Sequence, residues 1–258
     1  MTVPILEVKG ISKTFGKVKA LDSVDFYLQK GVVHGLLGEN GAGKSSLMNV
    51  LSGIYIPEQG TIKIQNKKIE RLNPELASSL GIGMVHQEFR LIENFTIKDN
   101  LTLSKANIFL ENFKEAYLKY SEIFSLNSSY NTLVKDLSVG EKQKVEIMKL
   151  IFKNSAIMLL DEPTAVLTPQ ETTQLKKSLE TLSKEDERTI VLITHKLKEI
   201  KDFTETIFVM KNGKMVAENL QTDEVSDKHL IELMMGEIKT MSFKKDNLKG
   251  ETKLEVHN

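Results

Sequence analysis

Apolar and polar positions alternate along this chain in short runs, and the run lengths predict mostly strands at the start. Residues 3–9 (VPILEVK) and 20–28 (ALDSVDFYL) carry β-branched and aromatic residues in partial alternation, with Gly10, Gly16 and Gly31 as breaks. Residues 32–37 (VVHGLL) form an unbroken apolar run, the pattern of a buried strand. A glycine-rich turn at 38–43 leads into a helix from about Lys44 to Leu51. Residues 60–64, 82–86, 156–160 and 189–194 predict further strands. Between Ile97 and Ile151 the spacing becomes mostly helical. Leu101, Leu103, Ile108, Phe113, Tyr117 and Tyr120 form one stripe, and Val145, Met148 and Phe152 another. A charged helix is expected over 169–185, and a hairpin over 206–211 and 214–218, turned by Asn212-Gly213 in the type I′ form. The order predicts an α/β domain with a mainly parallel core sheet and an inserted helical block. From about 239 the chain is Lys-rich and weakly patterned, as a linker would be.

Composition narrows the classes. The 258 residues include 40% hydrophobic and 27% charged side chains, enough to build a core. Lys+Arg and Asp+Glu both number 35, so net charge gives no support to a nucleic-acid partner. No cysteine is present, which excludes disulfides, thiolate metal sites and a cysteine nucleophile. No charge-free apolar stretch reaches the ~18–20 residues of a membrane span, and MTVPILEVKG does not read as a secretory signal. These features predict a soluble chain in a reducing compartment.

The chemistry lies in spaced motifs. Gly38-Glu39-Asn40-Gly41-Ala42-Gly43-Lys44-Ser45, followed by Ser46, matches G-x-x-x-x-G-K-[ST]. Glycines let successive backbone N–H groups turn toward phosphate oxygens, and the following helix N-terminus favours an anion. Lys44 is placed to reach the β- and γ-phosphates and the Ser45 hydroxyl to ligate Mg²⁺. A second apolar run ends in Asp161-Glu162. Asp161 suits the Mg²⁺-holding carboxylate of a phosphate-loop enzyme, and Glu162 suits the base that activates water. Alone, the pair would also fit a strand leaving the core through two solvated acids.

Leu137-Ser138-Val139-Gly140-Glu141-Lys142-Gln143 ends 18 residues before Asp161 (161 − 143) and resembles the LSGGQ signature of ATP-binding cassette (ABC) ATPases. The resemblance covers nearly all of residues 3–236. It implies a P-loop NTPase (RecA-like) α/β core, an N-terminal antiparallel β subdomain and an inserted helical subdomain at about 90–150. The ATPase domain would span 1–240, with 241–258 a linker and the opening of a second cassette. It also implies that ATP is sandwiched between two cassettes, with Ser138 and Gly140 contacting the γ-phosphate held by the partner. Ser138 with Glu141 is, independently, a capping box. By the same resemblance Gln87 senses Mg²⁺ and water, His195 is the switch histidine, Phe15 stacks on adenine, and Ala165-Val166-Leu167-Thr168 is the D-loop. Without it, Gln87 would be structural, His195 polar surface and Phe15 core. His34, His86, His229 and His257 receive no role. Two positions depart from the pattern: Val139 replaces the signature's first glycine, and Thr168 stands where the D-loop usually ends in Asp.

EPTAVLTPQE, LSVGEKQKVEI and THKLKEI resemble the first ATPase domain of importers for simple sugars and nucleosides, with nucleosides favoured over ribose-like sugars. Leu254-Glu255-Val256 repeats Leu6-Glu7-Val8, as a second cassette would. The resemblance implies ATP hydrolysis that drives solute uptake through membrane permease subunits at the cytoplasmic face. Its implied cofactors are ATP and Mg²⁺, and a solute-binding protein would complete the system. A soluble ABC ATPase acting on ribosomes or DNA would usually carry long basic or coiled-coil insertions, which are not visible. A GTPase would want N-K-x-D, but Asn66-Lys67-Lys68-Ile69 lacks the Asp.

Overall fold

The computed structural model describes residues 3–103 and 111–236. The chain opens with a long antiparallel hairpin, β1 (Leu6–Phe15) and β2 (Val18–Leu28). Gly10 is not a break within it. With φ at 62° it forms a bulge, where the register shifts between Val8 and Ile11, and its N–H donates to Asp25 at 2.6 Å. The first strand therefore starts later and runs further than the pattern 3–9 predicts.

β3 (Val33–Leu37) leads through the glycine loop into α1 (Lys44–Leu51). β4 (Gln59–Ile64) and β5 (Lys67–Ile69) then return to the hairpin, giving an antiparallel sheet in the order β2-β1-β4-β5. The turn between them holds Gln65 and Asn66 at φ of 48° and 64°, which no sequence pattern announced. α2 (Pro74–Ser79) begins at an Asn73 cap, and β6 (Ile82–Val85) follows.

Among the described residues, the helical block is shorter in helix than its periodicity suggests: α3 (Ile97–Thr102), α4 (Phe113–Ile123) and α5 (Val139–Phe152). Leu101, Phe113, Tyr117 and Tyr120 are buried as expected, but Leu103 is 54% exposed. Ile108 lies outside the described residues, as do the tail from 239, the 254–256 repeat and His257. Val145, Met148 and Phe152 are fully buried.

β7 (Ile157–Asp161), α6 (Pro169–Lys184), β8 (Thr189–Thr194), α7 (Leu197–Phe203), β9 (Thr206–Lys211), β10 (Lys214–Gln221) and α8 (Asp227–Met235) complete the chain. The second sheet has the order β10-β9-β3-β8-β7-β6 and is parallel except for β10. Asn212 and Gly213 both take positive φ (48° and 77°), the I′ turn expected of them.

Why the core strands are apolar throughout is clear from what covers them. Met158, Leu160, Ile190 and Leu192 pack toward the helical block, whereas Ile157, Leu159, Val191 and Ile193 pack toward α1 and the antiparallel sheet. Both faces are covered, so alternation disappears from the sequence.

Candidate functional site

Four parallel strands end at one edge of the core sheet. Leu37 lies opposite Thr194, Ile193 opposite Asp161, and Leu160 opposite Val85. The residues just beyond these ends therefore meet: the glycine loop after β3, His195 after β8, Glu162 after β7 and Gln87 after β6. This is where ligands bind in open α/β sheets. The cleft there has a volume of about 560 Å³, and Asn40, Gly41, Gly43, Lys44, Ser45, Ser46, Gln87, Asp161 and Glu162 line it.

The loop is shaped by close approach. A Cβ at Gly38 would overlap the Met210 carbonyl oxygen, and one at Gly43, whose φ is 105°, would lie 2.6 Å from the Ala20 carbonyl. Ala42 is buried between them, its N–H donating to Glu39 O at 3.1 Å. Lys44 is 7% exposed and folds back onto the loop, donating to Gly38 O at 2.7 Å and Glu39 O at 2.9 Å. Burial pushes its pKa down, against the pull of Glu162 and Asp161. A buried ammonium whose hydrogen bonds go to loop carbonyls is well disposed to an anion.

The carboxylates complement it. Burial and then the neighbouring Glu162 charge push the Asp161 carboxyl up, opposed by Lys44 and by a hydrogen bond from Ser45. Asp161 is thus short of positive charge. Ser45, Asp161 and Gln87 together offer a hydroxyl, a carboxylate and a carboxamide, all oxygen donors, which suits Mg²⁺ bound partly by substrate phosphates. No cluster of three or more His, Asp or Glu that could hold a metal occurs among the described residues, so a dedicated all-protein cage is not what this site offers. Glu162 takes φ of 46°, unusual for a residue with a side chain, and its N–H donates to Ile193 O at 2.9 Å. This backbone turn directs its carboxylate to His195, with Nδ1 and Oε1 2.6 Å apart.

Three predicted residues lie apart from the cleft. Phe15 is 41% exposed, edge-on to Tyr55 at 5.0 Å, with Lys13 Nζ 5.5 Å from its ring. It is not core, and the cleft is walled instead by Val18, Lys19 and Ala20 across the hairpin turn. Ser138 and Gly140 open α5. There the capping box is formed: Ser138 Oγ accepts from Glu141 N at 3.2 Å, and Glu141 Oε2 accepts from Ser138 N at 2.9 Å. Val18, Lys19, Ala20, Asn212 and Gly213 are lining residues that the sequence reading missed. Asn212-Gly213 was legible as a turn, but its place was not. Gly213 N donates to Ala42 O at 2.9 Å and Gly213 O accepts from Asp22 N at 2.8 Å, pinning the hairpin over the loop.

The sequence profile described as ABC transporter matches residues 21–165, more than half of the chain. The chain belongs to the ABC transporter family. Among curated relatives of this ABC cassette, the nucleoside import ATP-binding protein NupA of Lactococcus lactis subsp. cremoris is 40% identical over 244 residues, covering 93% of this chain and 47% of the relative. The ribose import ATP-binding protein RbsA of Caldanaerobacter subterraneus subsp. tengcongensis is 38% identical over 262 residues, covering 99% and 52%. The chain thus spans about half the length of the curated relatives it matches. An ATP-binding cassette of an ABC transporter, solved in its ADP conformation, superposes with a TM-score of 0.79 at 28% identity, covering 92% of this chain and 100% of that one. A dimeric cassette in a post-hydrolysis state, bound to ADP and Pi, gives 0.73 at 27%, covering 84% and 99%. The cassette fold is therefore the P-loop NTPase fold that its motifs announced.

Proposed function

We propose that the chain is the ATP-hydrolysing cassette of an ABC importer, coupling MgATP binding and hydrolysis to uptake of a nucleoside or simple sugar through a membrane permease. The observation that carries this reading is the meeting of Lys44, Ser45, Asp161, Glu162 and Gln87 in one cleft, with His195 bonded to Glu162. The names of the relatives, which import nucleosides, ribose and galactose, support the solute class.

In the proposed mechanism Lys44 exchanges the Gly38 and Glu39 carbonyls for phosphate oxygens. Backbone N–H groups of residues 40–45 and the N-terminus of α1 share the remaining charge. Ser45, Asp161 and Gln87 would hold Mg²⁺, which would neutralise phosphate charge. Glu162 takes a proton from the attacking water, and His195 fixes the orientation of that carboxylate and contacts the γ-phosphate side of the site. Phe15 would stack on the adenine at the open end. Ser138 and Gly140 would complete the ATP site of a second cassette, in the same polypeptide or a second copy.

On this reading permease subunits provide the membrane path, a solute-binding protein outside the membrane delivers the cargo, and the cassette sits at the cytoplasmic face without nucleic acid. A groove of about 530 Å³ beside Gln87, between α2, β6 and α5, supports a permease contact. Its cationic Arg90, Lys149 and Lys153 face a single buried carboxylate, Glu146, while burial and then the Arg90 charge push the His86 imidazole pKa down.

The test is ATP-driven uptake of labelled nucleosides and pentoses in vesicles that hold this protein together with permease subunits. Uptake that requires ATP and stops with Glu162→Gln is the expected result. Uptake that ignores the variant, or none with any nucleoside or sugar, removes the importer reading.

A further inference from the structure

We propose that Glu171 is a positioning residue that ties the signature helix to the turn carrying the catalytic carboxylate, so that both move as one piece. The inference rests on the two-cassette reading above and gives a role to Glu171, the last residue of EPTAVLTPQE, to which no function was assigned.

Glu171 belongs to two structures at once. At the third position of α6 its Oε2 accepts from Thr168 N and Thr168 Oγ1, both at 2.8 Å, while its own N–H donates to Thr168 Oγ1 at 3.3 Å. Its other oxygen lies against the first turn of α5: a Cβ on Gly140 would overlap Glu171 Oε1. A surface glutamate would swing aside from such a Cβ. The carboxylate of this one accepts two hydrogen bonds at Oε2, and from α5 Lys144 attracts it while Glu141 opposes. Gly140 is buried by this contact, while Val139, one residue earlier, points its side chain to solvent. A side chain at position 140 would therefore have to displace the Glu171 carboxylate, whether or not a nucleotide is bound.

The link continues to the cleft. From Thr168 the chain runs back through two tight turns, Leu167 N to Thr164 O and Ala165 N to Glu162 O, each 3.1 Å. Glu162 is in turn bonded to His195. One carboxylate therefore joins the signature that faces a partner's ATP to the turn that ends at this cassette's own base. With Thr168 in place of the usual D-loop Asp, the same turn keeps its attachment through Glu171.

The same chain supplies a control. α3 is capped by Thr96 with Asp99 at the equivalent third position, so an aspartate there preserves the box. Glu171→Asp should keep the cap of α6 but withdraw from Gly140. We would compare the 258-residue chain with Gly140→Ala, Glu171→Asp and the double variant. MgATP affinity, KM, saturated ATPase rate and melting temperature are the readouts. MgATP affinity and KM of Glu171→Asp should stay within about twofold, because neither the glycine loop nor the signature residues are altered, whereas Gly140→Ala changes the signature itself and is expected to raise KM. Gly140→Ala should lower the saturated rate about tenfold, and Glu171→Asp about threefold at an unchanged melting temperature. The double variant should match Glu171→Asp alone, since contacting residues are non-additive to about this degree. Multiplying losses, or a parental rate in Glu171→Asp, would overturn the proposal. Coupling seen in melting but not in rate would overturn it too, leaving a packing contact only. A parent chain that fails to bind MgATP instead removes the nucleotide reading and the kinetic role with it; the melting cycle still scores the Gly140–Glu171 contact.

Discussion

Lys44 shows what a residue gains from its surroundings. Its ammonium is buried and hydrogen-bonded to loop carbonyls, so it stands ready for phosphate. Lys44→Ala is expected to weaken MgATP binding by roughly 10- to 100-fold, the range for losing hydrogen bonds to a charged group, and a binding titration checks it. Glu162→Gln should behave differently. The amide keeps a hydrogen bond to His195 but accepts no proton, so ATP binding survives and the hydrolysis rate falls by roughly 10²–10⁴-fold. A third expectation concerns His34, on the strand before the loop. Its Nε2 accepts from Gln29 N at 3.0 Å, leaving Nδ1 to donate to Thr206 Oγ1 at 2.7 Å. Burial pushes its pKa down to about 4 from the usual 6.5. The unfolded chain then binds a proton that the folded one refuses. Stability is complete above pH 6.5, declines as pH falls toward 4 and gains no further loss from this group below that. The whole effect is up to about 3 kcal/mol. Chemical unfolding at several pH values should show this slope, and His34→Gln should flatten it.

At the scale of elements, helix starts carry much of the local order. α3, α5 and α6 each begin with a complete capping box, at Thr96, Ser138 and Thr168. For α6 this gives the D-loop departure a physical meaning, because Thr and Asp are both good N-cap residues. Thr168→Ser is expected to leave stability within about 0.5 kcal/mol, because it keeps both the cap and the hydroxyl donated to Glu171, whereas Thr168→Ala should cost about 1 kcal/mol through loss of the cap. Melting curves of the two variants separate capping from any role in nucleotide chemistry. The short helices α2 and α8 start at side-chain caps, Asn73 and Ser226, but have too few turns to raise a periodic signal, and the sequence pattern predicted neither. α7 has no side-chain cap bond and offered even less.

For the molecule as a whole, the two halves of the nucleotide chemistry stand apart on one cassette. The cleft holds the glycine loop and Glu162, and Ser138 and Gly140 lie elsewhere at the start of α5. On the proposed reading a single cassette binds ATP but needs a second to hydrolyse it. The isolated chain should be a monomer at micromolar concentration, with weak ATPase activity whose specific rate rises with protein concentration. Rate measurements paired with sedimentation of the same samples check this. A high rate from a monomer, independent of concentration, would remove the sandwiched site.

What the sequence determined by itself was chemistry confined to a few neighbouring residues. The spacing from Gly38 to Ser45 specified a phosphate loop, Ser138 with Glu141 a cap, and Asn212-Gly213 an I′ turn, since each depends on local backbone geometry. Apolar runs at 156–160 and 189–194 marked core strands, because burial on both faces leaves its trace in composition. Only the tertiary structure decided which of these pieces meet. The core strands stand in the order β3-β8-β7-β6, which is not chain order, and that order alone brings Glu162 to His195 and Gln87 to Lys44. It arises from long-range packing of helices on both sheet faces, which no periodicity within one element records. The same holds for the Asn212-Gly213 turn seated over the loop, and for Glu171 lying against Gly140 from a helix thirty-one positions on (171 − 140). Such contacts join residues remote in sequence, so their partners become visible only when the chain has folded.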